Sequence, residues 1–148
     1  MSTSASILSG RQLKDKALEL GVDLVGIAPI ERFQGIDGEE HPQSINPDTR
    51  SVIVLGFQIT RGALRGIEEG TAWHTLNAGN PIHPMIMIEM TYLVARWLET
   101  QGWEATPVFP HPPEMKRQGV RVRPDRPAPD VILDMDYAAH AAGLGHMG

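Results

Sequence analysis

The sequence predicts one domain over residues 1–148, of the α/β or layered α+β class, with a central sheet flanked by helices. The 148 residues are 41% apolar and 21% charged, which suits one domain with one hydrophobic core. Amphipathic helix patterns alternate with short, strongly apolar runs of strand length. The sequence contains no visible internal repeat.

The first predicted elements are a helix and a strand. Ser9 and Gln12 have the spacing of a capping box, in which each side chain caps the other residue's backbone. Apolar residues then recur with helical spacing, so we expect a helix over Gly10–Leu20. Gly21 suits the left-handed position that ends such a helix. The run Leu24–Ala28 has the length and composition of a strand.

The middle of the chain contains the most strongly apolar run. Residues 31–50 are polar and carry two prolines, which predicts a loop. Ser51–Phe57 is a continuous β-branched run, typical of a strand buried on both faces, so we expect it at the centre of the sheet. Arg61–Pro84 is rich in glycine and proline with scattered apolar residues, which predicts an ordered loop.

A long helix and a proline-rich segment follow. Between Met85 and Thr100 the apolar positions share one helix face; they are Ile86, Met90, Leu93, Val94, Trp97 and Leu98. A short strand is expected over Glu104–Val108. Pro107–Pro129 holds seven of the twelve prolines, so regular structure is not expected there. An alanine-rich helix ending at Ala142 completes the predicted elements.

Composition excludes several classes of function. The formal charge is −5, the wrong sign for a protein held to nucleic acid by phosphate contacts. There is no cysteine, so this chain cannot supply a thiolate zinc site, a catalytic thiol or an iron–sulfur cluster. The N-terminus does not resemble a secretion signal, and no apolar stretch is long enough to span a bilayer. We therefore expect a cytoplasmic protein without membrane contact.

The last six residues, Gly143–Gly148, form the pattern G-x-G-x-x-G of dinucleotide-binding turns. That turn follows a strand directly and opens a helix, whereas here a predicted helix comes first. Two other interpretations stay open. In one, Gly143 is the residue that ends a helix; in the other, the glycines let the backbone approach a flat cofactor of another kind.

Several polar residues near these glycines could take part in chemistry. Among six histidines, His146 lies within the glycine segment, where a cofactor would be close. Asp130 could act as a general acid, but it also suits the first position of a helix. Asp134 and Asp136 are expected to be solvated helix residues. Tyr137 could donate a proton or pack in the core with a solvated hydroxyl.

A basic cluster precedes the last helix; it consists of Lys116, Arg117, Arg121, Arg123 and Arg126. Such a cluster could bind a phosphate or an RNA backbone. With an acidic net charge, a solvated loop is the favoured interpretation.

Three blocks of the sequence resemble a known family. They are Glu19–Pro29, Arg50–Gly56 and Ala138–Gly148, the last being an alanine-rich helix that runs into A-G-L-G-x-x-G. In this order they resemble the N-terminal portion of the corrinoid-dependent family that includes epoxyqueuosine reductases and reductive dehalogenases. His146 stands where epoxyqueuosine reductases usually have an aromatic residue. The family's acid lies upstream of the glycines, near Asp130 but out of register.

The resemblance implies a nitroreductase-like domain that holds a cobalamin base-off. It implies cofactor contacts along the glycine segment, at Gly143, Leu144, Gly145, His146, Met147 and Gly148. It implies catalytic roles for Asp130 or for a tyrosine, either Tyr92 or Tyr137. In that family a separate ferredoxin-like module carries two [4Fe–4S] clusters that reduce the cobalt.

The absence of cysteine then has a specific meaning. We expect the corrinoid-binding domain or subunit of a reductive oxidoreductase, a truncated piece or one half of a split enzyme, with its iron–sulfur clusters on a partner or a missing C-terminal module. The substrate, a small molecule or a tRNA, stays open. Two alternatives are a flavin- or nucleotide-binding module without catalytic activity, and an assembly subunit that has lost the cofactor.

Overall fold

The computed structural model describes residues 7–36, 38–79, 84–108 and 120–148. Its helices are α1 (Gly10–Leu20), α2 (Arg61–Glu68), α3 (Thr75–Gly79), α4 (Pro84–Thr100) and α5 (Met135–Ala141). Its strands are β1 (Leu24–Pro29) and β2 (Ser51–Gly56), and two short 3-10 helices lie at Ile30–Phe33 and Pro42–Ser44. This mixture of helix and strand is compatible with the α+β class.

The strands β1 and β2 form a two-stranded antiparallel sheet. The Asp23 amide donates to the Gly56 carbonyl at 3.1 Å, and the Ile30 amide donates to the Arg50 carbonyl at 2.9 Å. The predicted central position of β2 is therefore wrong within the described residues, where β2 has one neighbouring strand. Its apolar residues are half-buried rather than fully buried.

Two further predictions about the elements are wrong. Residues 104–108 have no regular structure, so the predicted strand is absent. Residues 61–84 were predicted to be a loop but contain α2, α3 and the first residue of α4. The glycines that suggested a loop have other uses. A Cβ at Gly66 would lie 2.7 Å from the Thr75 hydroxyl, so Gly66 lets α3 and its preceding turn approach α2 closely.

The predictions for α1, α4 and α5 are confirmed. The Ser9 hydroxyl accepts from the Gln12 amide at 3.2 Å, and the Gln12 side chain accepts from the Ser9 amide at 2.9 Å, so the capping box is present. Helix α4 covers the predicted range, and α5 ends one residue before Ala142.

Glycine ends four helices in the same way. Gly21, Gly70, Gly102 and Gly143 have φ of 112°, 67°, 89° and 77°, the left-handed region that favours glycine. Each donates its amide to a carbonyl three residues earlier; the acceptors are Leu18, Ile67, Glu99 and His140. Each following residue donates to a carbonyl five residues earlier; these pairs are Val22–Ala17, Thr71–Gly66, Trp103–Leu98 and Leu144–Ala139. This is the Schellman motif.

The chain divides into two compact units. Unit 1 comprises Met1–Leu24 and Leu55–Phe109, and unit 2 comprises Val25–Val54 and Pro110–Gly148. In unit 1, α1 lies against α4; the buried apolar residues of this unit are Leu13, Ala17, Val22, Ala63, Val94 and Leu98. In unit 2, the core cluster consists of Ala28, Phe33, Ala138 and Ala141.

Within the described residues, no helix has both the length and the apolar character needed to cross a bilayer.

Two glycines of α2 should respond to alanine in opposite ways. Gly66→Ala is expected to lower the free energy of unfolding by about 1–2 kcal/mol, because its Cβ would press on the Ala72 carbonyl and the Thr75 hydroxyl. A Cβ at Gly62 meets no atom within 4 Å. Gly62→Ala should therefore raise the free energy of unfolding by about 0.5–1 kcal/mol, since alanine favours the helix. Urea denaturation of the two variants measures both free energies of unfolding. Equal changes in the two variants would contradict the close packing of α3 and its preceding turn against Gly66.

Candidate functional site

The candidate site is built around α5 and the glycine segment, residues 143–148. Asp134 caps the N-terminus of α5, and its carboxylate accepts from the Tyr137 amide at 2.9 Å. The structural alternative for Asp130, a helix N-cap, is therefore wrong: Asp134 takes that position four residues later. Asp130, Asp134 and Asp136 are all exposed, so the expected solvation of Asp134 and Asp136 is confirmed.

The C-terminal end of α5 has a partner for each of its last four carbonyls. The carbonyls of Ala138, Ala139 and His140 accept from the amides of Ala142, Leu144 and Gly143, each at 2.9 Å. The fourth, that of Ala141, accepts from the Arg32 guanidinium at 2.7 Å. A cation there also interacts favourably with the helix dipole. The helix end is thus fully hydrogen-bonded where the glycine segment begins.

A second glycine brings β1 against this helix end. A Cβ at Gly26 would lie 2.7 Å from the Ala142 Cβ, 2.8 Å from the Ala142 carbonyl oxygen and 2.9 Å from the Leu144 side chain. Gly26 is buried. Only a residue without a side chain lets the strand and the start of the glycine segment pack this closely.

A row of aromatic rings runs through unit 2 to the glycine segment. The ring centroids of Phe33 and Tyr137 are 5.7 Å apart, those of Tyr137 and His140 are 6.5 Å apart, and those of His140 and His146 are 6.3 Å apart. Phe33 is 3% exposed, whereas both histidines are exposed. His41 extends the row at the other end, 6.4 Å from Phe33. The row therefore connects the core of unit 2 with the surface at His146.

Two polar contacts fix members of this row. The Tyr137 hydroxyl donates to the Arg32 carbonyl at 2.8 Å, so Arg32 contacts α5 through both its backbone and its side chain. Tyr137 is half-buried with its ring packed, as the core alternative predicted, but its hydroxyl is bound to a backbone carbonyl, whereas that alternative expected solvent there. The His140 Nδ1 lies 3.2 Å from the Gly145 carbonyl oxygen, which links the helix to the middle of the glycine segment.

The glycine segment itself is open. Leu144 is half-buried, and the other five residues, Gly143, Gly145, His146, Met147 and Gly148, are exposed. A Cβ at Gly143, Gly145 or Gly148 would meet no atom within 4 Å. The G-x-G-x-x-G pattern follows a helix rather than a strand, so the dinucleotide interpretation is wrong. Gly143 is explained as a helix end, but Gly145 and Gly148 have ordinary φ and no crowded neighbour.

The structure brings together some of the predicted site residues and not others. Tyr137 is connected through His140 to His146. Asp130 has no hydrogen bond or ion pair with any other residue that the structure describes. Tyr92 lies on α4 in unit 1, outside the unit that contains the glycine segment. No group of three potential metal ligands occurs among the described residues.

The described part of the basic cluster is paired with carboxylates. Arg121 lies 3.1 Å from Glu39, and Arg123 and Arg126 lie 3.3 Å and 3.6 Å from Asp125. The Asp125 carboxylate accepts from its own backbone amide and lies near both arginines, and these interactions lower its pKa below the usual value. These pairs agree with a solvated loop. Lys116 and Arg117 lie outside the described residues.

Four residues that position the site were not identified from the sequence. They are Gly26, Arg32, Phe33 and His140. Arg32 lies 109 positions before its acceptor, Ala141, and Gly26 is still farther from Ala142 along the chain, so no local pattern connects them. His140 is the exception, because its position six residues before His146 could have suggested that the two rings approach each other.

Comparisons with protein-family models, with curated proteins and with solved structures found no match to this chain.

Alanine at Gly26 should loosen the packing beneath the glycine segment. Gly26→Ala is expected to lower the free energy of unfolding by about 1–3 kcal/mol, because the strand must move away from Ala142 and Leu144. Gly35→Ala is the matched control, since its Cβ would be at an ordinary 3.6 Å from the Tyr137 hydroxyl. Chemical denaturation checks both variants. A Gly26→Ala protein as stable as the control would show that the strand does not need this approach.

Loss of the Arg32 guanidinium should leave the Ala141 carbonyl without its donor. Arg32→Met is expected to lower the free energy of unfolding by about 1–2 kcal/mol. The control is Arg11→Met, which removes an ion pair of 3.9 Å whose arginine side chain is 91% exposed, and should change stability by less than about 0.5 kcal/mol. Thermal unfolding of both proteins tests the difference, and equal melting temperatures would contradict it.

Proposed function

We propose that this chain is the corrinoid-binding part of a reductive oxidoreductase, and that a cobalamin lies along residues 143–148. The observation that carries the proposal is the open backbone at Gly145 and Gly148, next to a helix end with every carbonyl satisfied. Neither glycine has a positive φ, and neither allows a close contact inside the protein. A flat ligand that lies against the backbone is a physical reason for having glycine at both positions.

The open backbone fits such a group. Because a Cβ at Gly143, Gly145 or Gly148 would project into free space, glycine leaves that space for a planar macrocycle. Leu144, half-buried against Gly26, holds the start of the segment in place. His146 and Met147 are the exposed side chains that would border the ligand; Met147 is 54% exposed. When bound, a corrinoid supplies a cobalt centre that transfers electrons to a substrate.

In this proposal the protein itself supplies a proton. Of the two proposed acids, Tyr137 is the one whose ring contacts lead to the glycine segment, through His140 to His146. Its hydroxyl now donates to the Arg32 carbonyl, so this hydrogen bond would have to open before the O–H bond could give its proton to a substrate and leave a tyrosinate. Asp130 is an exposed carboxyl group and is proposed as an alternative donor.

Electrons must come from another protein segment. The chain has no cysteine, so the proposed [4Fe–4S] clusters belong to a ferredoxin-like module or subunit. The proposal covers both small-molecule and tRNA substrates.

The test of the proposal is a spectroscopic titration with cob(II)alamin. Addition of the protein should convert the absorption spectrum to the base-off form with a saturable affinity. Gly145→Leu should weaken that affinity at least about tenfold, because its side chain would fill the open space above the backbone. Gly38→Leu is the matched control, since a Cβ at Gly38 also meets no atom within 4 Å but lies elsewhere in unit 2.

Two results would overturn the proposal. One is an unchanged corrinoid spectrum at saturating protein. The other is a yellow flavin spectrum of the cofactor released on heating the purified protein, which would instead support a flavin-binding module.

A further inference from the structure

Helix α4 carries apolar side chains on two opposite faces. On the inner face, Val94 and Leu98 are 6% and 7% exposed, and the sulfur of Met90 is 3.7 Å from the place that a Cβ of Gly21 would take. The inner face thus lies against the end of α1. The outer face contains three residues at helical spacing, Met85, Ile88 and Tyr92, which are 73%, 45% and 56% exposed. We call these three residues the outer stripe.

The outer stripe is unusual for a helix at a protein surface. A helix that packs on one side is normally polar on the other side, and a helix that is apolar on both sides is normally covered on both sides. Methionine and tyrosine are also enriched at the centres of protein interfaces. The outer stripe therefore has the composition of a surface that contacts another protein.

The charges that flank the outer stripe identify the partner. Glu89 precedes Tyr92 by three residues and Arg96 follows it by four, and both side chains are exposed. Neither has an ion pair with a residue that the structure describes. Along the outer face of α4, a negative charge thus precedes the central tyrosine and a positive charge follows it.

This arrangement is complementary to itself. If two copies of α4 pack antiparallel about a twofold axis at Tyr92, Glu89 of one copy comes level with the residue before Arg96 of the other. The offset is one residue, or about 1.5 Å along the helix axis, within reach of an arginine side chain. The same ion pair then forms twice, and the methylene groups of Arg96 cover Ile88 of the other copy.

We propose that the outer stripe is a homodimer interface, in which two copies of α4 pack antiparallel about Tyr92 and each Glu89 pairs with Arg96 of the other copy. The dimer uses unit 1, so it does not depend on corrinoid binding in unit 2.

A charge exchange tests the proposal. Sedimentation equilibrium of the full chain should show a dimer. Glu89→Arg and Arg96→Glu should each weaken dimerisation about tenfold or more, because like charges then face each other at both ends of the interface. The double variant restores opposite charges and should restore the dimer. All these residues are exposed, so circular dichroism should show unchanged folding.

Apolar substitutions provide the second arm. Ile88→Glu should give a monomer, whereas Leu18→Glu should leave the dimer intact, because Leu18 is similarly exposed, at 49%, but lies on α1. A wild-type protein that is monomeric at all accessible concentrations would overturn the proposal. So would a dimer that survives Ile88→Glu, or a double charge variant that stays as weak as the single variants.

Discussion

The hydrogen bonding at the C-terminal end of α5 determines the arrangement of the candidate site. A helix end exposes four carbonyls, and here three are satisfied by the chain that continues from the helix and the fourth by Arg32. The bond to Ala138 continues the helical pattern, whereas the bonds to Ala139 and His140 require the chain to turn at a residue with positive φ, which is Gly143. The turn directs Leu144 against Gly26 and leaves the remaining glycine segment exposed. The glycine segment therefore has a fixed beginning, Gly143 and Leu144, and an open continuation, residues 145–148.

The sequence predicted the elements whose signals are local. The signals for α1, its capping box and its terminal glycine, lie within a few residues of what they determine, and the structure confirms both. The apolar period of α4 predicted the range of the helix, but Ile86 of the predicted face is 46% exposed. The prediction of a loop over residues 61–84 was wrong because glycine is also common in loops. Gly66 is there because a neighbouring segment packs against it, and Gly70 because a helix ends there. A glycine in the sequence does not indicate which of these uses it has.

The contacts that shape the site are not local and could not be predicted from the sequence. Arg32 follows a strand near the N-terminus, yet its guanidinium and its carbonyl contact α5 near the C-terminus. Tyr137 was identified as a candidate, but not the row of rings that connects it with His146. Asp130 was identified for its residue type, and the structure leaves it exposed, with Asp134 in the capping position. Long-range packing thus decided which of the candidates belong together.

The central claim is that the open continuation of the glycine segment is a binding surface and that its beginning is part of the fold. Residue-resolved hydrogen exchange with and without cob(II)alamin tests this directly. In the free protein the amides of Gly143 and Leu144, which are hydrogen-bonded to α5, should exchange slowly, and those of residues 145–148 quickly. Added corrinoid should slow exchange at residues 145–148. Protection that appears elsewhere while these residues stay unchanged, or no protection at all, would contradict the account.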